Sequence, residues 1–219
     1  MKVLIFDTET TGLPIGRNPS IFDTDKWPHI IQLSYIVYDT NELELVTCKD
    51  YVIKLDDSVE ISRESIDIHG ITRMMSKRKG VDLSIALNNF NQALKSCDWV
   101  VGHNISFDKR MIMVESNRLK IPQYFTNYDG TGKKEYCTMK NTIDLCQIAA
   151  ISRTGEVYHK YPKLQELHEY LFNTKAKGTH DSMGDVLICM RCYGKLVHEH
   201  DISKDGSLDM RKLFALYCV

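Results

Sequence analysis

Apolar residues run without a break through Val3-Leu4-Ile5-Phe6, and nearly so through Ile30-Ile31-Gln32-Leu33-Ser34-Tyr35-Ile36-Val37-Tyr38. Short runs of this kind, rich in β-branched and aromatic residues, predict strands covered on both faces. A Gly/Pro/Asn-rich loop separates them. Asp39-Thr40-Asn41-Glu42 reads as a turn, and a third strand falls within Leu43 to Leu55. These three strands predict an antiparallel meander. The period then changes. Leu83, Ala86, Leu87, Phe90, Ala93, Leu94 and Cys97 recur at helical spacing behind Asp82, a suitable cap. Trp99-Val100-Val101-Gly102 reads as a short strand that runs into a helix from about Ser106 to Leu119. Ile121 to Lys134, with Pro, Asn-Tyr-Asp-Gly and Thr-Gly-Lys-Lys, reads as loop. Helices are expected at Thr142 to Ala150, Lys163 to Phe172 and Met183 to His198, with a short one in the tail, Ile202 to Val219. The order β-β-β-α-β-α, then helices, predicts an α/β fold built on one mixed sheet flanked by helices.

Composition narrows the class. The chain has 219 residues, 43% hydrophobic and 26% charged, enough for one domain with a sizeable core. Lys and Arg (28) nearly balance Asp and Glu (29), for a net charge of −1. A protein that coats nucleic acid is usually clearly basic, whereas a nuclease need not be, because metal ions can supply the local positive charge. Seven scattered cysteines are an odd number in a chain too long to need staples, so they read as thiols in a reducing compartment. The apolar run near the start ends at Asp7, too early for a signal peptide, and no later segment approaches the length of a membrane span. A cytoplasmic or nuclear protein with no membrane partner is expected.

Against this ordinary background the acids stand out. In Phe6-Asp7-Thr8-Glu9-Thr10-Thr11-Gly12-Leu13-Pro14, two carboxylates sit at i and i+2 on a strand and so point to the same side. Their repulsion needs an offset, either a divalent cation or a nearby Lys or Arg. They lie at the end of the first strand, where open α/β sheets place their sites. His103-Asn104-Ile105-Ser106-Phe107-Asp108 follows a strand and opens a helix, which puts Asp108 in the first turn. There an acid also simply complements the helix dipole. In His180-Asp181-Ser182-Met183-Gly184-Asp185, Asp181 or Ser182 can cap the last long helix, Asp185 borders its apolar stripe, and His180 precedes it in a loop.

Together FDTET (Phe6 to Thr10), HNxxFD (His103 to Asp108) and HDxxxD (His180 to Asp185) resemble the DEDD superfamily of 3′→5′ exonucleases, histidine subclass. Ile68-His69-Gly70-Ile71-Thr72 resembles the segment before the first helix in the proofreading epsilon subunit of bacterial replicative polymerase, and Lys163-Leu164-Gln165-Glu166-Leu167 resembles that family's helix upstream of the histidine. The likeness spans about Val3 to Leu196. It implies a ribonuclease-H-like fold with a mixed five-stranded sheet, an exonuclease domain over residues 1–198, and a packed tail over 199–219. It implies two divalent ions, Mg²⁺ or Mn²⁺, with Asp7 bridging both, Glu9 and Asp185 completing the first, Asp108 holding the second, and His180 as general base. The implied substrate is a single-stranded 3′ end, DNA ahead of RNA, released as nucleoside 5′-monophosphates; a polymerase partner is also within the resemblance. Backbone after Glu9, including Thr10, is expected near the terminal 3′ hydroxyl. Leu13 and Phe107 are the expected apolar contacts for the last bases, and His103 and Asn104 are expected to orient the acid or the backbone.

The chemistry accounts for the residue types. Phosphodiester oxygens are negative and water is a poor nucleophile; two cations about 3.5–4 Å apart address both problems. Mg²⁺ prefers oxygen ligands and keeps several waters, so a few carboxylates suffice. A neutral imidazole can take the proton of the attacking water. Competing motifs are weaker. Cys189-x-x-Cys192 with His198 and His200 has no second, suitably spaced cysteine pair for zinc. The runs at Lys77-Arg78-Lys79, Lys133-Lys134 and Lys175-Ala176-Lys177 read as solvated loops. Ser34 and Ser182 lack the partners of a nucleophilic triad. The remaining rivals are an exoribonuclease with the same motifs and a non-catalytic module that binds nucleic acid or a polymerase.

Overall fold

The computed structural model describes residues 1–126 and 129–218; Asn127 and Tyr128 of the expected loop, and Val219 of the expected tail, lie outside them. In chain order the elements are β1 (Lys2–Thr10), β2 (Ile30–Asp39), β3 (Glu44–Val52), α1 (Arg63–His69), α2 (Arg73–Lys79), α3 (Leu83–Ser96), β4 (Trp99–Gly102), α4 (Ile105–Leu119), β5 (Lys134–Cys137), α5 (Ile143–Cys146), β6 (Ala149–Ile151), β7 (Val157–His159), α6 (Leu164–Phe172), α7 (Ser182–His198), α8 (Ile202–Asp205) and α9 (Leu208–Tyr217). The main sheet has five strands in the order β3-β2-β1-β4-β5. The first three form the expected antiparallel meander, and β4 and β5 run parallel to β1. This is the mixed five-stranded α/β sheet that the resemblance implied.

Alternation along β1 divides the core. Leu4 and Phe6 face one layer, with Ala86, Leu87 and Phe90 of α3 and Met111 and Ile112 of α4. Val3 and Ile5 face the other, with Met183, Val186, Leu187 and Met190 of α7 and Met210 and Phe214 of α9. Because both faces of β1 and β2 are covered, neither strand alternates apolar with polar, and both read as continuous runs. Caps fall where the sequence places them. Asp82 accepts from the N–H of Ser84 at 2.8 Å, and Asp181 accepts from the N–H of Gly184 at 3.1 Å at the start of α7.

Three expectations are corrected. The helix expected at Thr142 to Ala150 is a 3₁₀ turn and one turn of α5, ended by Gln147 at φ +46, after which the chain enters the β6–β7 hairpin. Lys134, expected at the end of a loop, begins β5. The Ile68–Thr72 segment does not precede the first helix: it joins α1 to α2, with Gly70 left-handed at φ +73 and Thr72 capping α2. All seven cysteines are free, and Cys189 and Cys192 are buried core residues of α7.

Candidate active site

β1 outruns its neighbour. Ile5 is the last β1 residue paired with β4, so Asp7, Thr8 and Glu9 pair only with β2 and leave one edge open. Two helix starts fill that edge. Asp108, in the first turn of α4, accepts both the amide (3.1 Å) and the hydroxyl (2.7 Å) of Thr8 on one carboxylate oxygen. Ser182, the first residue of α7, donates its hydroxyl to the carbonyl of Asp7 at 2.8 Å. The backbone groups of an unpaired strand edge thereby gain partners, as buried peptide groups must.

This arrangement brings the distant acids together. Asp7, Glu9 and Asp185 each offer an oxygen within 4.8 Å of the other two. Asp185 Oδ2 accepts the backbone N–H of His180 at 3.3 Å, and its buried Oδ1 has no hydrogen-bond partner among the described residues. Burial above all, then the charges of Asp108, Asp185 and Glu9, holds Asp7 well above the ordinary carboxylate range. Burial, then Asp185 and Asp108, pushes Glu9 up to about 8. Asp108 and Asp185 are also raised, by burial first; the bonds from Thr8 restrain the one and the N–H of His180 the other. Among the described residues no lysine or arginine forms an ion pair with any of these four acids. Of the two offsets for the Asp7–Glu9 repulsion, a basic side chain therefore drops out. Converging oxygens with one orphaned lone-pair donor fit a hard divalent cation.

His180 lies beside the cluster with a left-handed backbone, φ +67. Its side chain is exposed. Next to Glu9 opens a cleft of about 510 Å³ lined by Thr10, Leu13, Ile68, His69 and Phe107. Leu13 is 82% exposed at its rim. Thr10 is buried and donates its hydroxyl to the carbonyl of Gly12 at 2.8 Å, which fixes the turn that presents Leu13. Leu13 and Phe107 also line a second cleft of about 410 Å³, with Arg17, Asn104 and Arg110. A larger cavity of about 800 Å³ beside Lys109, Arg110 and Lys140 touches none of the clustered acids.

His103 is not on the wall of either cleft. Its ring nitrogens meet the Thr138 hydroxyl at 2.9 Å and the carbonyl of Pro162 at 3.0 Å, and burial pushes its pKa down to about 4. Asn104 caps α4 through its left-handed backbone, φ +61, without a side-chain cap bond. Three residues to which the sequence reading gave no role matter here. Thr8 anchors Asp108, Gln32 Nε2 donates to Asp181 Oδ2 at 3.2 Å, and His69 walls the cleft. Gln32 carried one faint signal, a polar residue among the apolar residues of β2, whereas Thr8, between Asp7 and Glu9, carried none.

Known proteins share this fold. A family model described as Exonuclease matches residues 4–193. No curated protein sequence matches the chain. Among solved structures, Escherichia coli exonuclease I in complex with a dT13 oligonucleotide superposes with a TM-score of 0.65 at 16% identity, over 89% of this chain and 41% of that one. A product-bound structure of exonuclease I gives 0.66 at 15% identity, over 98% and 45%. The zinc-ion-bound E. coli exonuclease I–ssDNA complex gives 0.63 at 16%, over 90% and 41%. At such identities the likeness is one of fold, and the chain spans less than half the length of those proteins.

Proposed function

The chain belongs to the RNase T exonuclease family, and from that premise we propose that it removes nucleotides from the 3′ end of single-stranded nucleic acid, DNA ahead of RNA, as nucleoside 5′-monophosphates. The observation that carries this reading is the convergence of Asp7, Glu9 and Asp185, with Asp108 anchored alongside, at the mouth of a cleft with apolar walls. The solved neighbours that hold single-stranded oligonucleotides support the polymer class and strand state.

In this reading Asp7 with Glu9 and Asp185 would hold one divalent ion, Mg²⁺ or Mn²⁺, and Asp7 with Asp108 a second. Bound there, such ions lower the pKa of a water and steady the leaving 3′ oxygen. The protein does the rest. Thr8 and Ser182 hold the acids at the strand edge, so little reorganisation accompanies reaction. His180 accepts the proton of the attacking water. Leu13 and Phe107 hold the last bases by stacking, which any base satisfies. Thr10 shapes the backbone that meets the terminal sugar. His103 fixes the backbone before α4 rather than touching the strand, and Asn104 caps α4 while lining the second cleft beside Phe107.

The test uses end-labelled single strands of DNA and of RNA with Mg²⁺, with and without chelator, beside Asp7→Ala and His180→Ala. Shortening from the 3′ end that chelator and Asp7→Ala abolish, and that His180→Ala cuts to a small residual rate, is the expected result, faster on DNA. Faster shortening of RNA would reverse the polymer preference. Internal cuts, or turnover unaffected by chelator, would refute the mechanism. Binding of both polymers with shortening of neither would make the chain a binding module.

A further inference from the structure

We propose that α9, outside the segment matched by the family, sets the position of His180, with Gly178 and Tyr217 as positioning residues; the proposal rests on the base role given to His180 above. The family match ends at residue 193, yet α9 packs on α7 and β3. Its last turn closes on the loop that carries the histidine. Gly178 is left-handed, φ +76, and a Cβ there would lie 1.8 Å from the backbone oxygen of Tyr217. A Cβ on Gly184, in the first turn of α7, would lie 1.8 Å from the oxygen of Gly178. The loop is thus pressed between two helix ends at a point two residues before His180, with no room for a side chain at either contact.

Hydrogen bonds hold the same loop from both sides. The Tyr217 hydroxyl donates to Asp50 Oδ2 at 3.4 Å. Asp50 Oδ1 accepts from Gln32 Nε2 at 2.9 Å, and that nitrogen also reaches Asp181 Oδ2 at 3.2 Å. Gln32 Oε1 accepts the N–H of Ser182 at 3.2 Å. This chain runs from α9 to the two residues that follow His180. At the start of the loop, Arg191 grips Asp201 with two 2.8 Å bonds and donates to His168 Nε2 at 2.9 Å. Arginine can only donate, so Nδ1 of His168 carries the proton and donates to the carbonyl of Thr174 at 3.0 Å. The backbone on either side of His180 is therefore fixed to α6, α7 and α9, and the aim of the imidazole follows from that backbone.

The experiment is a double-mutant cycle in the full chain, on single-stranded DNA with Mg²⁺. Gly178→Ala is expected to lower kcat about a hundredfold, the scale of an ångström-level misplacement. Tyr217→Phe is expected to lower it about threefold, within the range found for coupled neighbours. KM stays put in both. In a His180→Ala background neither substitution lowers kcat further, because the group they position is gone. Losses that multiply with that of His180→Ala, or wild-type kcat in both variants, would overturn the proposal. Should Gly178→Ala fail to fold, Tyr217→Phe, which keeps the ring, carries the cycle alone. Wild-type kcat in His180→Ala would defeat the base role and this proposal together. Losses that multiply while His180→Ala alone retains only a small residual kcat would defeat this proposal only.

Discussion

Thr8 gives both its amide and its hydroxyl to the same oxygen of Asp108, a residue 100 positions further along the chain. A strand edge and a helix start are joined through one carboxylate, which fixes Asp108 beside Asp7 and partly offsets the burial that raises its pKa to about 7. Thr8→Val keeps the shape and removes the hydroxyl. The buried carboxylate then loses a bond that lowers its pKa, so protons compete better for it. We expect the acidic limb of the kcat/KM profile to move to higher pH, with weaker apparent Mg²⁺ affinity. The stability cost should be about 1–2 kcal/mol, measured by urea unfolding. An unmoved profile would mean that the hydroxyl only packs.

Four acids held in one place cost the metal-free fold. Asp7 is raised by burial and by three neighbouring carboxylates, which is free energy stored against the charged form. Asp7→Asn removes a charge from that cluster at nearly constant volume. The substitution should abolish turnover and raise the Tm of the metal-free protein. A gain of about 1 kcal/mol corresponds to about 2–4 °C for a chain of this size. A lower Tm would show that Asp7 is stabilising without cations.

Much of this is legible in the sequence. β1 and β2 announced themselves because strands covered on both faces are apolar at nearly every position. The acids were legible as a spaced pattern, and the fold brings Asp7, Glu9 and Asp185 together as that pattern implied. β5 was not legible: Lys134-Glu135-Tyr136-Cys137 is short and half polar, and it is a strand only because β4 offers an edge. The pattern from Thr142 to Ala150 predicts a helix that runs into β6 because Ile143 to Cys146 does start one, and the left-handed Gln147 that stops it has no strong sequence signature. Thr8 and Gln32 could not be assigned from local pattern, since their partners lie 100 and about 150 residues away.

The pH dependence of stability has a definite sign. The carboxyl of Glu9 ordinarily titrates at 4.5 and is pushed up to about 8 in the fold. Between those values the native state binds more protons than the unfolded chain, so stability falls as pH rises. Metal-free protein should therefore lose Tm steadily from about pH 5 to pH 8. Divalent cations replace those protons, so the Tm gained on adding saturating Mg²⁺ or Mn²⁺ should grow across the same interval. Scanning calorimetry at several pH values checks both slopes. A cation increment independent of pH would show that the ion does not bind at the protonating acids.

Leu13 and Phe6 are nearby in sequence but should fail differently. Leu13 is 82% exposed at the rim of the cleft, so the native fold has little to lose from its truncation. Phe6 is buried, with ring centroids 5.1 Å from Phe90 and 6.0 Å from Phe125. Leu13→Ala should raise KM for a single-stranded oligonucleotide about tenfold, since an apolar contact to a base is worth about 1–3 kcal/mol. Its Tm should match the parent. Phe6→Ala should cost about 3–5 kcal/mol of stability through the cavity it leaves. Phe107 falls between them: it lines the cleft yet packs against the same core, so Phe107→Ala should raise KM and lower Tm together. Steady-state kinetics beside thermal melts on the three variants separates the two effects, and an unchanged KM for Leu13→Ala would remove it from the strand-binding surface.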